Sequence, residues 1–243
     1  MHILIMVLRQ IKEDIEVALK KDPAARNATE VLFLYPGVHA LIAYRLTHWL
    51  WKKGFKFISR GLSQFARWVT GIEIHPAAVI GKQFFIDHGM GVVIGETSEI
   101  GNNVFVYQGV TLGGLATKKG KRHPTVSDDV VIGAGAKVLG PIKIGCNTKI
   151  GSGSVVLQDV PEYSTVIGVP GRVVFSGISS DMEDEEGHET FPDPVARAIE
   201  CMLDRLPEME KEIRQLKETL NKNGIALPDS SPIDEAPRKK IIG

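Results

Sequence analysis

A histidine stands beside an aspartate in the pair Asp87-His88, which is followed by two closely spaced glycines, Gly89 and Gly91. An imidazole is a general base at neutral pH when an acidic side chain holds its other ring nitrogen. Glu73, which lies earlier in the chain, is the nearest candidate for that acid. The competing interpretation is that His88 only forms hydrogen bonds within a turn, and these residues alone leave both open.

Four cations, Lys118, Lys119, Lys121 and Arg122, lie in one segment that spans residues 113–124. Such a cluster can bind phosphates or a carboxylate, although charged loops are often only solvated. The segment also resembles a nucleotide-binding P-loop, but its glycines before Lys121 have the wrong spacing. Because Arg122 stands where that motif requires Ser or Thr, we exclude a P-loop.

Three histidines, His75, His88 and His123, raise a metal-site alternative, because three imidazoles can hold a catalytic zinc. A zinc-dependent lyase of the carbonic anhydrase type would use such a site. The spacings of 13 and 35 residues include no close pair, however, and His75 precedes Pro76, where a structural role fits better. We therefore predict no metal, and the lyase is the less favoured alternative.

Composition limits the functions that this chain can have. Of its 243 residues 43% are hydrophobic, and 29 basic residues balance 29 acidic ones. Nothing therefore indicates a general affinity for nucleic acid or for an anionic membrane. The apolar start, residues 1–8, lacks a basic flank and a cleavage site and is too short to span a bilayer. Cys146 and Cys201 form no metal or disulfide spacing, so we expect a cytoplasmic protein.

An aliphatic residue recurs at every sixth position between residues 74 and 156. A fixed short period indicates a solenoid, and three such sixes make one triangular coil of 18 residues. We therefore predict a mainly β fold, a parallel β-helix over residues 72–175, which in known hexapeptide solenoids winds left-handed. The runs are Ile74, Ile80 and Ile86, then Ile94, Ile100, Val106 and Leu112, and then Val126, Ile132, Val138, Ile144, Ile150 and Val156.

The six-residue period breaks at the two places that carry the candidate chemistry. At residues 86–91, which include Asp87 and His88, the phase slips by two residues. The cationic segment, residues 113–124, is inserted between Leu112 and Val126. Function is expected where a rigid scaffold is interrupted, and a long loop is a common form of active-site wall.

The rest of the chain divides into four predicted segments. Residues 1–71 form an N-terminal helical domain, and residues 176–193 an acidic linker. A helix with a heptad pattern follows over residues 194–223, and residues 224–243 form a disordered tail. Pro207 either kinks this helix or begins a second one. The apolar stripe of the helix packs either between chains or on the prism of its own chain.

An ordered set of motifs resembles serine O-acetyltransferase, a family of hexapeptide-repeat acyltransferases. The resemblance covers roughly residues 10–175 and is specific, because few families share these motifs in this order. The motifs are Asp22-Pro23, Gly37-Val38-His39-Ala40, Ile74-His75-Pro76-Ala77-Ala78, Ile86-Asp87-His88, Val93-Ile94-Gly95-Glu96-Thr97, Gln108-Gly109-Val110-Thr111-Leu112-Gly113-Gly114, Lys121-Arg122-His123-Pro124 and Gly168-Val169-Pro170-Gly171-Arg172.

The resemblance implies transfer of an acetyl group from acetyl-CoA, as co-substrate, to the hydroxyl of L-serine, the first step of cysteine biosynthesis. It makes His88 the general base and Glu73, where the family often has aspartate, the acid that orients it. Asp22 and Asp87 match residues that bind the serine ammonium, and Arg122 and His123 match residues that hold its carboxylate. The positions that match residues facing acetyl-CoA are Gly113, Gly114, Ala134 and Lys149. An acetyltransferase for another hydroxyl acceptor is the alternative.

The resemblance also implies a homotrimer with active sites between adjacent prisms, and cysteine as feedback inhibitor. The helical segment before the solenoid is shorter than in family members that pair trimers into hexamers, so trimer and hexamer both stay open. Family members that bind O-acetylserine sulfhydrylase end in isoleucine, whereas this chain ends in Gly243. We therefore expect that complex to be absent or weak.

Overall fold

The computed structural model describes residues 2–176, 213–215 and 219. Four helices come first, namely α1 (His2–Lys21), α2 (Ala28–Leu34), α3 (Pro36–Lys52) and α4 (Lys56–Thr70). Residues 213–215 and 219 are helical and fall within the predicted heptad helix. Ser176, the first residue of the predicted acidic linker, belongs to a strand, whereas residues 177–193, the other residues of that helix and the tail lie outside the described residues.

Fifteen short strands follow the helices. They are β1 (Glu73–Ile74), β2 (Val79–Ile80), β3 (Phe85–Ile86), β4 (Val93–Ile94), β5 (Glu99–Ile100), β6 (Phe105–Val106), β7 (Thr111–Gly113), β8 (Thr125–Val126), β9 (Val131–Ile132), β10 (Lys137–Leu139), β11 (Lys143–Ile144), β12 (Lys149–Ile150), β13 (Val155–Val156), β14 (Ser164–Ile167) and β15 (Arg172–Ser176).

The strands build the three faces of a prism. The first sheet has the order β1-β4-β7-β10-β13, the second β11-β8-β5-β2 and the third β15-β14-β12-β9-β6-β3. The paired strands run parallel, except that β15 runs antiparallel to β14. Ile132 and Ile150 are register partners on one face, as the repeat predicted. The aliphatic residues of the repeat fill the interior, where a coil buries them only against its neighbours.

Strand registers measure the two interruptions of the repeat. In regular coils the partner lies 18 residues on, as in Ile132 and Ile150. Across the first break the step is 20, from Ile74 to Ile94, so the break adds two residues. Across the second break the step is 26, from Leu112 to Val138, so the loop adds eight. Both insertions extend turns and leave the strand pairing on either side intact.

The helices cover part of the outer surface of the third sheet. Ala18 on α1 and Val31 on α2 form a buried cluster with Val38 on α3 and Phe85 on β3. Burying a side chain as large as Phe85 stabilises a fold by roughly 2–3 kcal/mol. Since α1 ends at Lys21 and β3 ends at Ile86, this packing brings the residues that follow both elements to one end of the prism.

Local sequence accounts for several helix boundaries. The side chain of Asn27 caps α2 by accepting the N–H of Glu30 at 2.9 Å, and α4 ends at Gly71 with a left-handed φ of 73°. Helix α3 ends at Lys52, with a cation in its last turn and Gly54 two residues further on. Among the residues described, we find no helix that is both long enough and apolar enough to cross a membrane.

Candidate active site

His88 projects from the prism at the turn of residues 87–92, which joins the third sheet to the first. The two residues added here include His88 and Gly89, whose φ angles of 56° and 77° turn the chain outward. The side chain of His88 is 76% exposed, and its Nε2 atom lies 4.0 Å from Oδ2 of Asp87. We call this turn, with the turns stacked on it at residues 107–110, 133–136 and 151–154, the His88 corner.

A second carboxylate, that of Asp22, lies near Asp87. Asp22 accepts a hydrogen bond from the Tyr35 hydroxyl at 2.5 Å, and this bond raises the pKa of Tyr35 to about 12. Burial raises the pKa of Asp87, as does the nearby Asp22 to a lesser degree, while His88 acts in the opposite direction. Paired carboxylates beside an exposed imidazole are suited to a cationic group whose neighbouring proton the imidazole can remove.

A glycine in α3 allows this arrangement. An ideal Cβ on Gly37 would overlap the carbonyl oxygen of Ile86, so only glycine lets the start of α3 approach the end of β3 this closely. Tyr35, which precedes α3, is thereby held near Asp87. Sequence reasoning did not single out Tyr35, because an isolated tyrosine at a helix start carries no pattern.

Glu73 lies in the strand next to the His88 turn. Its backbone N–H donates to the carbonyl of Val92 at 2.9 Å. Its carboxylate is paired with Arg67 on α4, with Nε 3.4 Å from Oε2. The contact that the structure gives the Glu73 carboxylate is therefore Arg67, whereas the carboxylate nearest to His88 is that of Asp87.

Arg122 and His123 lie at a different corner, which joins the first sheet to the second. We call the turns of residues 75–78 and 95–98 together with the long loop, residues 113–124, the His123 corner. Nη2 of Arg122 lies 2.6 Å from Oε2 of Glu96. His123 is only 8% exposed, and its Nδ1 faces Thr97, whose hydroxyl lies 2.8 Å away. Burial lowers the pKa of His123, and the adjacent Arg122 lowers it further.

The close approach of His123 to the prism also depends on glycine. An ideal Cβ on Gly95 would overlap the His123 ring, and one on Gly114 would lie 3.2 Å from Nε2. Glu96 and Thr97 were noticed in the sequence only as part of a motif. Their contacts with the loop pass between segments some 26 residues apart, a distance at which no local pattern gives a signal.

The four positions predicted to face acetyl-CoA are divided between the two corners. Gly113 ends β7 and Gly114 begins the long loop, so both belong to the His123 corner. Ala134 lies in the His88 corner, where its carbonyl accepts the N–H of Gly153 at 2.8 Å. Lys149 begins β12, the strand that precedes the turn containing Gly153.

The three histidines of the metal alternative do not come together. Among the residues that the structure describes, no group of three or more His, Cys, Asp or Glu side chains could hold a metal ion. His75 belongs to the His123 corner and has a local structural role. Its Nδ1 accepts the N–H of Ala77 at 3.0 Å, and burial lowers its pKa to about 4. His88 lies at the other corner.

The candidate site of one chain is thus divided into two halves. One half holds the exposed base and the paired carboxylates, and the other holds Arg122 and His123. Because the two halves occupy different corners of a triangular prism, one chain does not bring them together.

Two known proteins with similar sequences are serine acetyltransferases. The family model described as bacterial transferase hexapeptide (six repeats) matches residues 123–158. A serine acetyltransferase from Bacillus licheniformis is 56% identical over 217 residues, which are 89% of this chain and 97% of that protein. Another, from Bacillus subtilis, is 53% identical over 216 residues, which are 89% of this chain and 99% of that protein.

Solved serine acetyltransferase structures are similar as well. The enzyme of Neisseria gonorrhoeae in complex with serine has a TM-score of 0.66 and 42% identity, covering 69% of this chain and 68% of that one. A complex with cysteine has a TM-score of 0.68, 44% identity and coverages of 69% and 70%. A complex with CoA has a TM-score of 0.65, 44% identity and 69% coverage of each chain. These matches confirm the predicted fold class, a left-handed parallel β-helix preceded by helices.

Proposed function

The chain belongs to the serine acetyltransferase family, and we propose that it performs the family reaction with His88 as the general base. In that reaction the acetyl group of acetyl-CoA passes to the hydroxyl of L-serine, which yields O-acetylserine and CoA in cysteine biosynthesis. The observation that carries the assignment to His88 is its exposed imidazole beside the Asp87 carboxylate, which in turn lies near Asp22.

The proposed chemistry uses each group once. Asp22 and Asp87 bind the ammonium of serine, which brings the serine hydroxyl to His88. His88 removes the hydroxyl proton as the oxygen attacks the thioester carbonyl, and backbone N–H groups stabilise the tetrahedral oxyanion. When the carbon–sulfur bond breaks, the CoA sulfur receives the proton from His88. Burial of Asp87 strengthens its attraction for an ammonium group, because less water screens the charge.

Glu73 is the proposed orienting acid for His88. Support comes from its position, since its backbone is bonded to Val92 in the turn that carries His88. The carboxylate is shared with Arg67 at 3.4 Å, so its pull on His88 is weakened. We therefore assign Glu73 a smaller share of the rate than His88.

Acetyl-CoA is the co-substrate, and we place it along the His88 corner. Ala134 lies two coils beyond His88, about 10 Å away at the usual strand spacing. Lys149, one coil further, provides a cation for the phosphates. Gly113 and Gly114 would contribute from the neighbouring chain, because they lie at the other corner.

The same division of the site supports an oligomer. We propose a homotrimer in which the His88 corner of one copy faces the His123 corner of the next, so that Arg122 and His123 hold the serine carboxylate. A cyclic trimer has three equivalent contacts of this kind and leaves no half-site without a partner. Whether two such trimers pair into a hexamer is a separate question that sedimentation would answer.

Thiol release from acetyl-CoA tests the acceptor directly. Serine, homoserine and a sugar should be compared in parallel, and we expect turnover with serine to exceed the other two by orders of magnitude. Faster turnover with homoserine or the sugar would favour an acetyltransferase for another hydroxyl acceptor. Carbon dioxide hydration that is lost on zinc removal would favour the lyase.

Cysteine should inhibit this enzyme by occupying the serine site. It has the same ammonium and carboxylate as serine, so Asp22, Asp87 and Arg122 would hold both, and one solved relative is a complex with cysteine. We expect competition with serine in steady-state kinetics. Unchanged rates at millimolar cysteine and low serine would contradict this regulation.

A further inference from the structure

Thr97 has every hydrogen-bonding position of its side chain in use at the His123 corner. Its Oγ1 accepts the backbone N–H of Arg122 at 3.0 Å and that of His123 at 3.1 Å. A hydroxyl has two acceptor positions and one proton, so both acceptor positions are filled. The proton is left for Nδ1 of His123, which lies 2.8 Å from Oγ1.

The backbone of Thr97 reaches the same ring nitrogen. Its N–H donates to Nδ1 of His123 at 3.2 Å. A backbone N–H can only donate, so Nδ1 has to be the unprotonated nitrogen of the ring. In the neutral imidazole the proton therefore lies on Nε2, and two donors from one residue fix both the tautomer and the plane of the ring.

The opposite edge of the ring faces glycines. Nε2 lies where a Cβ on Gly95 would be, and 3.2 Å from an ideal Cβ on Gly114. No side chain at these two positions covers the Nε2–H group. It is free to donate to a ligand oxygen at the surface that the proposed trimer turns toward the neighbouring His88 corner.

The charged groups around His123 favour the neutral ring. Arg122 and Lys121 lie on the same loop as His123, and their charges disfavour a positive charge on its ring. His75, in the coil below, provides no negative charge that would favour it. Glu96 is the nearby anion, but it is paired with Arg122. A proton on Nδ1 would also point at the N–H of Thr97, which cannot accept it.

We propose that Thr97 is a positioning residue that holds His123 as a neutral donor, so that its Nε2–H binds a carboxylate oxygen of the amino-acid substrate. His123 is then neither a base nor a cation in this enzyme. The inference rests on the proposed function, because it takes serine as the ligand. It adds the residue that sets the protonation and orientation of one of the groups that bind serine.

Matched variants of threonine test the proposal. Thr97→Val keeps the shape of the side chain but removes the hydroxyl, and Thr97→Ser keeps the hydroxyl. We expect the valine variant to raise KM for serine about tenfold or more, with a smaller change in kcat, and the serine variant to stay near wild type. Thr125→Val is the control, since the hydrogen bond that the structure gives its hydroxyl is to Glu99, at 3.4 Å.

The pH dependence separates positioning from a purely structural effect. Without the hydroxyl that favours neutral His123, the pKa of the His123 ring, followed by nuclear magnetic resonance, should be higher in Thr97→Val than in the wild type. Wild-type KM for serine and an unchanged pKa of His123 in Thr97→Val would overturn the proposal, and so would a serine variant as impaired as the valine variant.

Spectroscopy of the unaltered enzyme gives an answer even if Thr97→Val does not fold. With histidine labelled at the ring nitrogens, we expect His123 at neutral pH to have a bare Nδ1 and a protonated Nε2, assigned by comparison with His123→Asn. The opposite tautomer or a charged ring would refute the inference while serine acetylation stands. Absence of serine acetylation in the wild type would instead refute the proposed function and the choice of ligand.

Discussion

His88 reaches solvent because the two-residue insertion after β3 places left-handed backbone at His88 and Gly89. In the coils above, the same corner turns through a single left-handed glycine, as at Gly109 and Gly135. A regular coil would therefore have no residue in the position of His88. The proposed base is thus supplied by an irregularity in the repeat, and Asp22 by the segment that follows α1.

Replacing His88 should abolish most turnover. We expect His88→Ala to lower kcat on the order of 10²–10⁴-fold, because a general base is lost, and to leave CoA binding nearly intact. The variant Glu73→Gln should lower kcat by a smaller factor. Gln83→Ala is a matched control, since Gln83 is exposed and has the same φ of 56° at another corner. Wild-type turnover in His88→Ala, measured by thiol release, would mean that another group takes the proton.

Asp87 should couple serine binding to pH. Its pKa is raised by burial, so the carboxylate is protonated at a higher pH than an ordinary aspartate, and KM for serine should rise as the pH falls through that range. Asp87→Asn should raise KM about tenfold or more and remove this dependence. A wild-type KM in that variant would exclude Asp87 from ammonium binding.

The raised pKa of Asp87 also predicts that Asp87→Asn stabilises the fold. A folded-state pKa above the unfolded value means that ionised Asp87 destabilises the fold. Asp87→Asn should therefore raise Tm at neutral pH, and the gain should vanish below the ordinary pKa of 3.8, where both states of the wild type are protonated. A gain in Tm that persists in acid would show that it has another cause.

At the scale of the element, the corners of the coil set how closely functional side chains approach the prism. Gly95 and Gly145 each follow an inward aliphatic residue, and an ideal Cβ would collide at both positions. The atoms that it would meet differ. At Gly95 they belong to the His123 ring, and at Gly145 to the backbone of Glu162.

This pair separates stability from substrate binding. We expect Gly95→Ala and Gly145→Ala both to lower Tm in thermal unfolding, because each forces neighbouring atoms apart. Only Gly95→Ala should also raise KM for serine, since it displaces His123. An equal rise in KM for both variants would mean that the site responds to general destabilisation and not to the position of His123.

At the scale of the whole molecule, the proposed site of a single chain is divided between two corners, and one face of a helix is exposed and apolar. Helix α4 exposes a row of large apolar side chains and ends at Gly71, beside the His88 turn. An apolar face of this extent on a surface helix is typical of an interface. We expect the contact between chains that completes the site in the proposed trimer to cover this face of α4 as well. The exposed residues are Phe57, Ile58, Leu62, Phe65, Trp68 and Val69.

Mixing two inactive variants tests whether the site is shared between chains. His88→Ala and Arg122→Ala should each be inactive by itself. If they are unfolded and refolded together in equal amounts, random trimers should regain about one quarter of the wild-type sites, because a working site needs one intact corner from each kind of chain. No recovery of thiol release, with trimers seen in sedimentation, would mean that each site lies within one chain.

The fold of the prism follows from the sequence alone, whereas the residues left the role of His88 open and the family resemblance supplied it. A six-residue period is a local signal, because each coil repeats the same inward positions, and Ile132 and Ile150 share a face as the period requires. The breaks in the period directed attention to His88 and Arg122. Asp22 differs, because the pair Asp22-Pro23 by itself indicates only a helix break. Its role in binding serine came from the family resemblance.

Which side chains of the candidate site contact one another depends on the tertiary structure. Tyr35 joins Asp22 because α2 and α3 fold back on the third sheet, and Thr97 meets His123 because the loop returns to the coil below. It also paired Glu73 with Arg67 and placed Arg122 at a different corner from His88. Such contacts depend on how elements pack across long stretches of chain, and no spacing between residues encodes that packing.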